Sequence, residues 1–222
     1  MDTDPDLRLY DLERYLLDDV SGRFRRGEPV STFDFFCIII WKANRAKTLM
    51  ARGLASRSGA ALDAAVQALL NDVRAAPSEE AKMKILFQRW SLWLPTASAI
   101  LTILYPDAFT VYDVRACGQL QGDHSRAGRT SNVDRMWEGY VAYRDAVIAQ
   151  TPPGLSLRDK DRVLWARSFR EQLERDVRAG FGTGASATAS VDDPEAEVMD
   201  TVTRRHAEHT TPTAPDPALG HG

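Results

Sequence analysis

Seven consecutive apolar residues, Phe35-Phe36-Cys37-Ile38-Ile39-Ile40-Trp41, constrain this chain more than any other feature. A segment with no polar face has to be enclosed by other elements on all sides. Its β-branched content alone also suits a buried strand. Two signals favour a helix. Ser31-x-x-Asp34 has the spacing of a capping box, and the chain runs on through Lys42-Ala43-Asn44-Arg45-Ala46-Lys47 without a breaker, longer than strands usually extend. The reading is a buried helix over residues 33–47 at the centre of the fold.

The neighbouring segments read as helices too. Asp4-Pro5 is an N-cap with Pro at the first helical position, and Leu9, Leu12, Leu16 and Val20 form one stripe behind it. Leu62, Val66, Leu69 and Val73 mark a third helix, and Ser78-Glu79-Glu80 opens a fourth that runs to Trp90. A fifth spans about Pro95 to Tyr105 and stops at Pro106-Asp107. Phe109-Thr110-Val111-Tyr112 is extended, and Asp113 stands where an N-cap would, before Val114-Arg115-Ala116-Cys117. After a polar loop over 121–135, Met136, Tyr140, Tyr143 and Val147 form another stripe. Ser156-x-x-Asp159 starts the last helix, with Trp165, Phe169, Leu173 and Val177 as its expected core face and Gly180 at its end. The expectation is an all-α fold of about eight helices over residues 1–180. Residues 181–222, rich in Gly, Ala, Ser, Thr, Pro and acids, are expected to form a disordered acidic tail.

Composition removes several classes. At 44% apolar and 27% charged residues, the chain is neither fibrous nor wholly disordered. No apolar window long enough to span a bilayer occurs. The acidic start (Asp2, Asp4, Asp6) has no signal-peptide character, so a cytoplasmic protein is expected. Two cysteines, Cys37 and Cys117, are too few for a disulfide framework or a four-cysteine cluster and read as buried fillers. Only His124 precedes the last 17 residues, too few histidines for a catalytic zinc site in the body of the chain. No metal and no cofactor is expected. Charge is uneven: residues 1–20 and 181–222 each hold seven acids against two arginines, −5 apiece, so a total of −3 leaves residues 21–180 at +7. A basic body fits a polyanionic partner, although many soluble domains carry such an excess without one.

The segment that carries chemistry is Leu94-Pro95-Thr96-Ala97-Ser98-Ala99-Ile100-Leu101, followed by Tyr105-Pro106-Asp107-Ala108-Phe109-Thr110-Val111-Tyr112-Asp113. An apolar helix leads through a short extended stretch to a lone acid at the head of a new helix. There the dipole and backbone N–H groups keep a carboxylate ionised. A fixed charge of this kind can stabilise positive charge that develops on a substrate, or orient an attacking water. Asp is also a common plain N-cap, and both roles can coexist.

Over roughly residues 30–175 this arrangement resembles the helix-hairpin-helix DNA glycosylase superfamily, in which a Thr-Ala-rich helix precedes an extended segment ending in a catalytic aspartate. Thr96-Ala97 and Asp113 hold the corresponding places. The resemblance implies Asp113 as the catalytic residue. The chain departs from the pattern twice. The hairpin glycines that hold a DNA phosphate are replaced by Ser91-Leu92-Trp93, and the lysine of strand-cleaving members, which would fall near Pro95, is missing. The resemblance therefore implies a monofunctional enzyme that hydrolyses the base off double-stranded DNA and stops.

Asn44 and Arg45 fall where the resemblance places the residue that fills the gap left by an extruded base, the alternative being a solvated helix end. Lys42 and Lys47 flank them and suit phosphate contacts. Trp41, Trp90 and Trp93 can stack a base or belong to the core. Tyr112 either lines the base pocket or packs, and Arg115, His124, Arg126 and Arg129 form either a phosphate patch or a solvated surface. The expected function is removal of a damaged or modified base, for genome repair or against modified phage DNA, by a monomer. The alternatives are a helical DNA-binding protein without catalysis and a helical protein-interaction module.

Overall fold

The computed structural model describes residues 4–181. Of the expected tail only Phe181 falls among them. All regular elements there are helical: α1 (Pro5–Tyr10), α2 (Leu12–Arg14), α3 (Ser21–Arg25), α4 (Thr32–Ala43), α5 (Lys47–Ser58), α6 (Leu62–Ala75), α7 (Glu79–Gln88), α8 (Leu94–Leu104), α9 (Val114–Cys117), α10 (Val133–Ala149) and α11 (Leu157–Arg178). A π-helical turn, Tyr15–Val20, joins α2 to α3. No helix is long and apolar enough to cross a membrane among the described residues.

Local chemistry starts these helices where the sequence signals them. Asp4, Ser78, Asn132 and Ser156 each accept a backbone N–H of the first turn. Ser31 and Asp34 close the capping box reciprocally, with the Asp34 N–H donating to Ser31 Oγ at 3.1 Å and the Ser31 N–H to Asp34 Oδ2 at 2.8 Å. Asp34 does more than cap. Arg23 grips it with two N–H···O bonds of 2.9 Å, and the Tyr15 hydroxyl donates to it. This buried knot ties the π turn and α3 to the head of α4.

The apolar run forms α4 and packs against α5, α6 and α8, with Phe35, Ile38 and Ile39 fully enclosed. Enclosure is not complete, because Phe33 and Ile40 reach solvent. The most deeply buried helix is α8, in which Leu94 and every residue from Ala97 to Leu104 are buried. Small residues at Ala97, Ser98 and Ala99 let neighbours approach, and its two buried hydroxyls are satisfied within the helix: Ser98 Oγ donates to Pro95 O at 3.1 Å and Thr102 Oγ1 to Ser98 O at 2.8 Å.

Two expectations are corrected. The helix expected over 33–47 ends at Ala43, whose φ of −157° is extended. A 3₁₀ turn, Asn44–Ala46, then opens a separate helix, α5, that hydrophobic periodicity does not reveal because only Leu54 of it is buried. In α11, Trp165, Phe169, Leu173 and Val177 are exposed rather than core, whereas Lys160, Asp161 and Leu164 are the buried residues. Lys160 earns its burial as a cap for α10, its ammonium donating to Ile148 O (3.2 Å), Thr151 Oγ1 (3.1 Å) and Pro152 O (2.8 Å). The stripe Met136, Tyr140, Tyr143, Val147 is buried as expected.

Candidate active site

The extended stretch Phe109–Tyr112 has no strand beside it, yet all four residues are buried. Buried backbone groups need partners. Side chains supply them. Tyr140 Oη donates to Thr110 O and accepts the Thr110 N–H, each at 3.0 Å. Tyr143 Oη donates to Val111 O at 2.9 Å, and Ser98 Oγ accepts the Tyr112 N–H at 2.9 Å. Two tyrosines of α10 and one serine of α8 thus stand in for a neighbouring strand and fix where the segment ends.

It ends at Asp113. Its Oδ1 accepts the Arg115 N–H at 2.8 Å, the N-cap bond of α9, and its Oδ2 accepts from Lys42 Nζ at 3.0 Å. Both side chains are largely buried, at 8% exposure for Lys42 and 14% for Asp113. Burial by itself would raise the Asp113 pKa. The Lys42 ammonium, its hydrogen bond, the Arg115 N–H and the Arg115 charge outweigh that, so the carboxyl lies below its ordinary value and is ionised at neutral pH.

A second carboxylate lies in the same electrostatic environment. Asp161 of α11 is 2% exposed. Burial and the Asp113 charge push its pKa up to about 6 against the opposing pull of Arg158 and Lys42. Arg158 donates to Asp161, donates through Nε to Glu13 at 2.6 Å, and lies 4.9 Å from the centre of the Trp41 ring. Helices α2, α4, α9 and α11 thereby meet in one buried charged network. Its two aspartates are displaced in opposite directions, the pattern that separates a permanently ionised acid from a protonatable one.

The sequence candidates divide around this network. Lys42 and Asp113 are brought together, so Lys42 is buried against the carboxylate rather than presented to phosphate. Trp41 is half-buried under Arg158. Tyr112 packs instead of lining a pocket: it is 1% exposed, edge-on to Tyr143, and its hydroxyl donates to His124 O at 2.7 Å. That hydroxyl also accepts the Gly128 N–H at 3.1 Å, and a Cβ at Gly128 would sit 2.9 Å from the Tyr112 ring, so only glycine fits. These bonds anchor the loop that bears Arg126 and Arg129, both exposed. Arg115 is half-buried, with Nη1 3.2 Å from Gln172 Oε1. Asn44 and Arg45 are exposed in the 3₁₀ turn just beyond Lys42, and the Asn44 amide oxygen accepts from Lys47 at 2.8 Å. Trp90 belongs to the core, its indole N–H donating to Asp72 at 2.9 Å. Cys37 and Cys117 are buried free thiols. Sequence reasoning missed Arg158 and Asp161, because an i,i+3 charged pair on a helix ordinarily faces water.

The turn joining α7 to α8 is short, and Ser91 takes a positive φ of 51° there, the conformation a hairpin glycine would adopt without strain. The Leu92 N–H closes the turn on Leu86 O at 2.9 Å.

No family model, curated protein or solved structure matches this chain.

Proposed function

We propose that this protein is a monofunctional DNA glycosylase of the helix-hairpin-helix type, which extrudes a damaged or modified base and hydrolyses its N-glycosidic bond. The observation that carries the reading is Asp113: an ionised, largely buried carboxylate at a helix head, aimed by a rigid extended segment that follows an apolar helix. The resemblance assigns the catalytic acid to this position. In the proposed reaction the bond from C1′ to the base nitrogen breaks as positive charge develops on the sugar. Asp113 stabilises that charge, water adds its oxygen to C1′, and the departing base takes up a proton. Lys42 is a positioning residue that keeps Asp113 ionised and fixes its orientation. Asn44 and Arg45, exposed just beyond Lys42, are the residues assigned to the DNA side. The excess of +7 over residues 21–180 supplies attraction to the phosphates.

A second reading, a helical DNA-binding protein without catalysis, draws support from the fact that both Asp113 oxygens already have partners. One experiment separates the two. The protein is incubated with DNA duplexes carrying a panel of damaged and hypermodified bases, then treated with alkali to cut abasic sites. Cleavage of one duplex after alkali, and not before, is the expected result. Salt-sensitive binding without cleavage of any duplex leaves the second reading.

A further inference from the structure

We propose that the outer face of α11 is a dimer interface, formed by two antiparallel copies of this chain. Trp165, Phe169, Leu173, Val177 and Phe181 recur every fourth residue and are between 43% and 71% exposed. This face points away from the body of the fold. Leu164, fully buried, precedes Leu173 by nine positions, about half a turn out of phase at roughly 100° per residue. Gln119 and Arg115 hold the helix from its inner side through Glu171 and Gln172.

The stripe is ordered rather than incidental. The Trp165 and Phe169 rings stack with planes 4° apart and centres 5.6 Å apart. At the far end Gly180 takes a φ of 63°, and the Phe181 N–H donates to Asp176 O at 2.9 Å, so the chain turns back and adds Phe181 to the helix cap. Three of the five side chains are aromatic, each offering about 150–250 Å² when fully uncovered. The stripe therefore presents several hundred Å² of contiguous apolar surface, the size that marks an interaction site.

A second copy fits this surface because the stripe complements itself, as a two-fold interface requires. With Leu173 on the axis, Phe169 faces Val177 of the second copy and Trp165 faces its Phe181. The area agrees too: two such stripes facing each other cover on the order of 1,000 Å² in total, the lower bound for a specific interface.

The test is sedimentation equilibrium of the full chain over about 1–100 μM, the range in which an interface of modest area reverses. The expected result is a reversible dimer that Leu173→Glu converts to monomer without lowering the melting temperature, since Leu173 is already 43% exposed. Phe169→Glu and Val177→Lys should each weaken self-association about tenfold, because the two positions face each other across the axis. An equimolar mixture of those two variants should recover part of the loss, since one glutamate then meets one lysine and the other facing pair is native. A wild-type chain that stays monomeric throughout overturns the proposal, and the stripe then serves a different protein or residues beyond Phe181. A dimer indifferent to Leu173→Glu also overturns it, because the contact then lies elsewhere.

Discussion

The Lys42 ammonium and the Asp113 carboxylate meet at 3.0 Å although 71 positions separate them, and each is largely shielded from water. This contact joins the end of α4 to the head of α9. Lys42→Met leaves Asp113 charged and largely buried without its ammonium, which typically costs about 3–5 kcal/mol. Asp113→Asn should destabilise by less, because Lys42 still feels the Asp161 carboxylate, but by more than the ~1 kcal/mol of a lost cap. The double variant should cost less than the sum. Urea denaturation of the four proteins measures the coupling, and strict additivity would mean the two groups do not interact in solution.

Catalysis adds a separate expectation for Asp113→Asn. Asn retains capping ability and most of the shape, so below the melting transition the variant should still bind DNA at least as well as wild type. If Asp113 stabilises the developing cation, single-turnover base release should fall by about 10²–10³-fold. Lys42→Met gives the complementary signal. Without the ammonium the Asp113 pKa rises, so the acidic limb of the rate profile should move to higher pH. Unchanged base release by Asp113→Asn on a confirmed substrate would return Asp113 to a capping role.

The extended segment makes a graded prediction. Tyr140→Phe strands both the N–H and the carbonyl of Thr110, whereas Tyr143→Phe strands only the Val111 carbonyl. Each buried orphan costs about 1–3 kcal/mol. Tyr140→Phe should therefore be the more destabilising by chemical denaturation. Equal losses would mean that water takes over one of the Thr110 groups.

Much of this architecture is legible in sequence because its causes are local. Ser31-x-x-Asp34, Ser78 and Ser156 announce helix starts, and the period of Met136, Tyr140, Tyr143 and Val147 identifies a buried face. The same period misleads in α11, since apolar residues every fourth position describe a core face and an outward face equally well. Helix α5 hides because a helix burying only Leu54 has almost no apolar pattern. Asp113 is found from its place after the extended segment. Lys42 is found too, but whether a lysine reaches a phosphate or turns inward is a tertiary fact. Arg158 and Asp161 leave no trace at all, as their environment comes from α2, α4 and α9 rather than from neighbours in sequence.

Acid sensitivity should centre on Asp34. Burial opposes its ionisation, but bonds from Arg23, Tyr15 and Ser31 prevail and hold its pKa down to about 2. Because the folded value lies below the ordinary carboxylate value, the stabilisation is fully present above about pH 4 and is lost as pH falls towards 2. Asp34→Asn should thus cost about 2 kcal/mol more at pH 6 than at pH 2. Urea midpoints of both proteins at the two pH values provide the measurement, and a pH-independent difference would show that the Arg23 contact is not formed.

Asp161 should behave in the opposite sense. Its pKa is raised to about 6, mainly by burial and also by the charge of Asp113. Between about pH 4 and pH 6 the folded chain therefore holds a proton that the unfolded chain has released. Stability from this group is full below pH 4, falls as pH rises through 6, and then stays level. Asparagine mimics the protonated acid at every pH. Asp161→Asn should therefore compare more favourably with wild type at pH 7.5 than at pH 4, by on the order of 3 kcal/mol, even if its absolute stability is lower at both. The Arg158 contact argues for the reverse, since an ionised Asp161 would pair with the guanidinium, but at 2% exposure the loss of hydration outweighs the pull of Arg158 and Lys42, each shared with another carboxylate. Stability difference against pH decides between the two forces. A variant that compares less favourably at pH 7.5 than at pH 4 would show that Arg158 keeps Asp161 ionised, and the network would then hold two permanently charged aspartates instead of one.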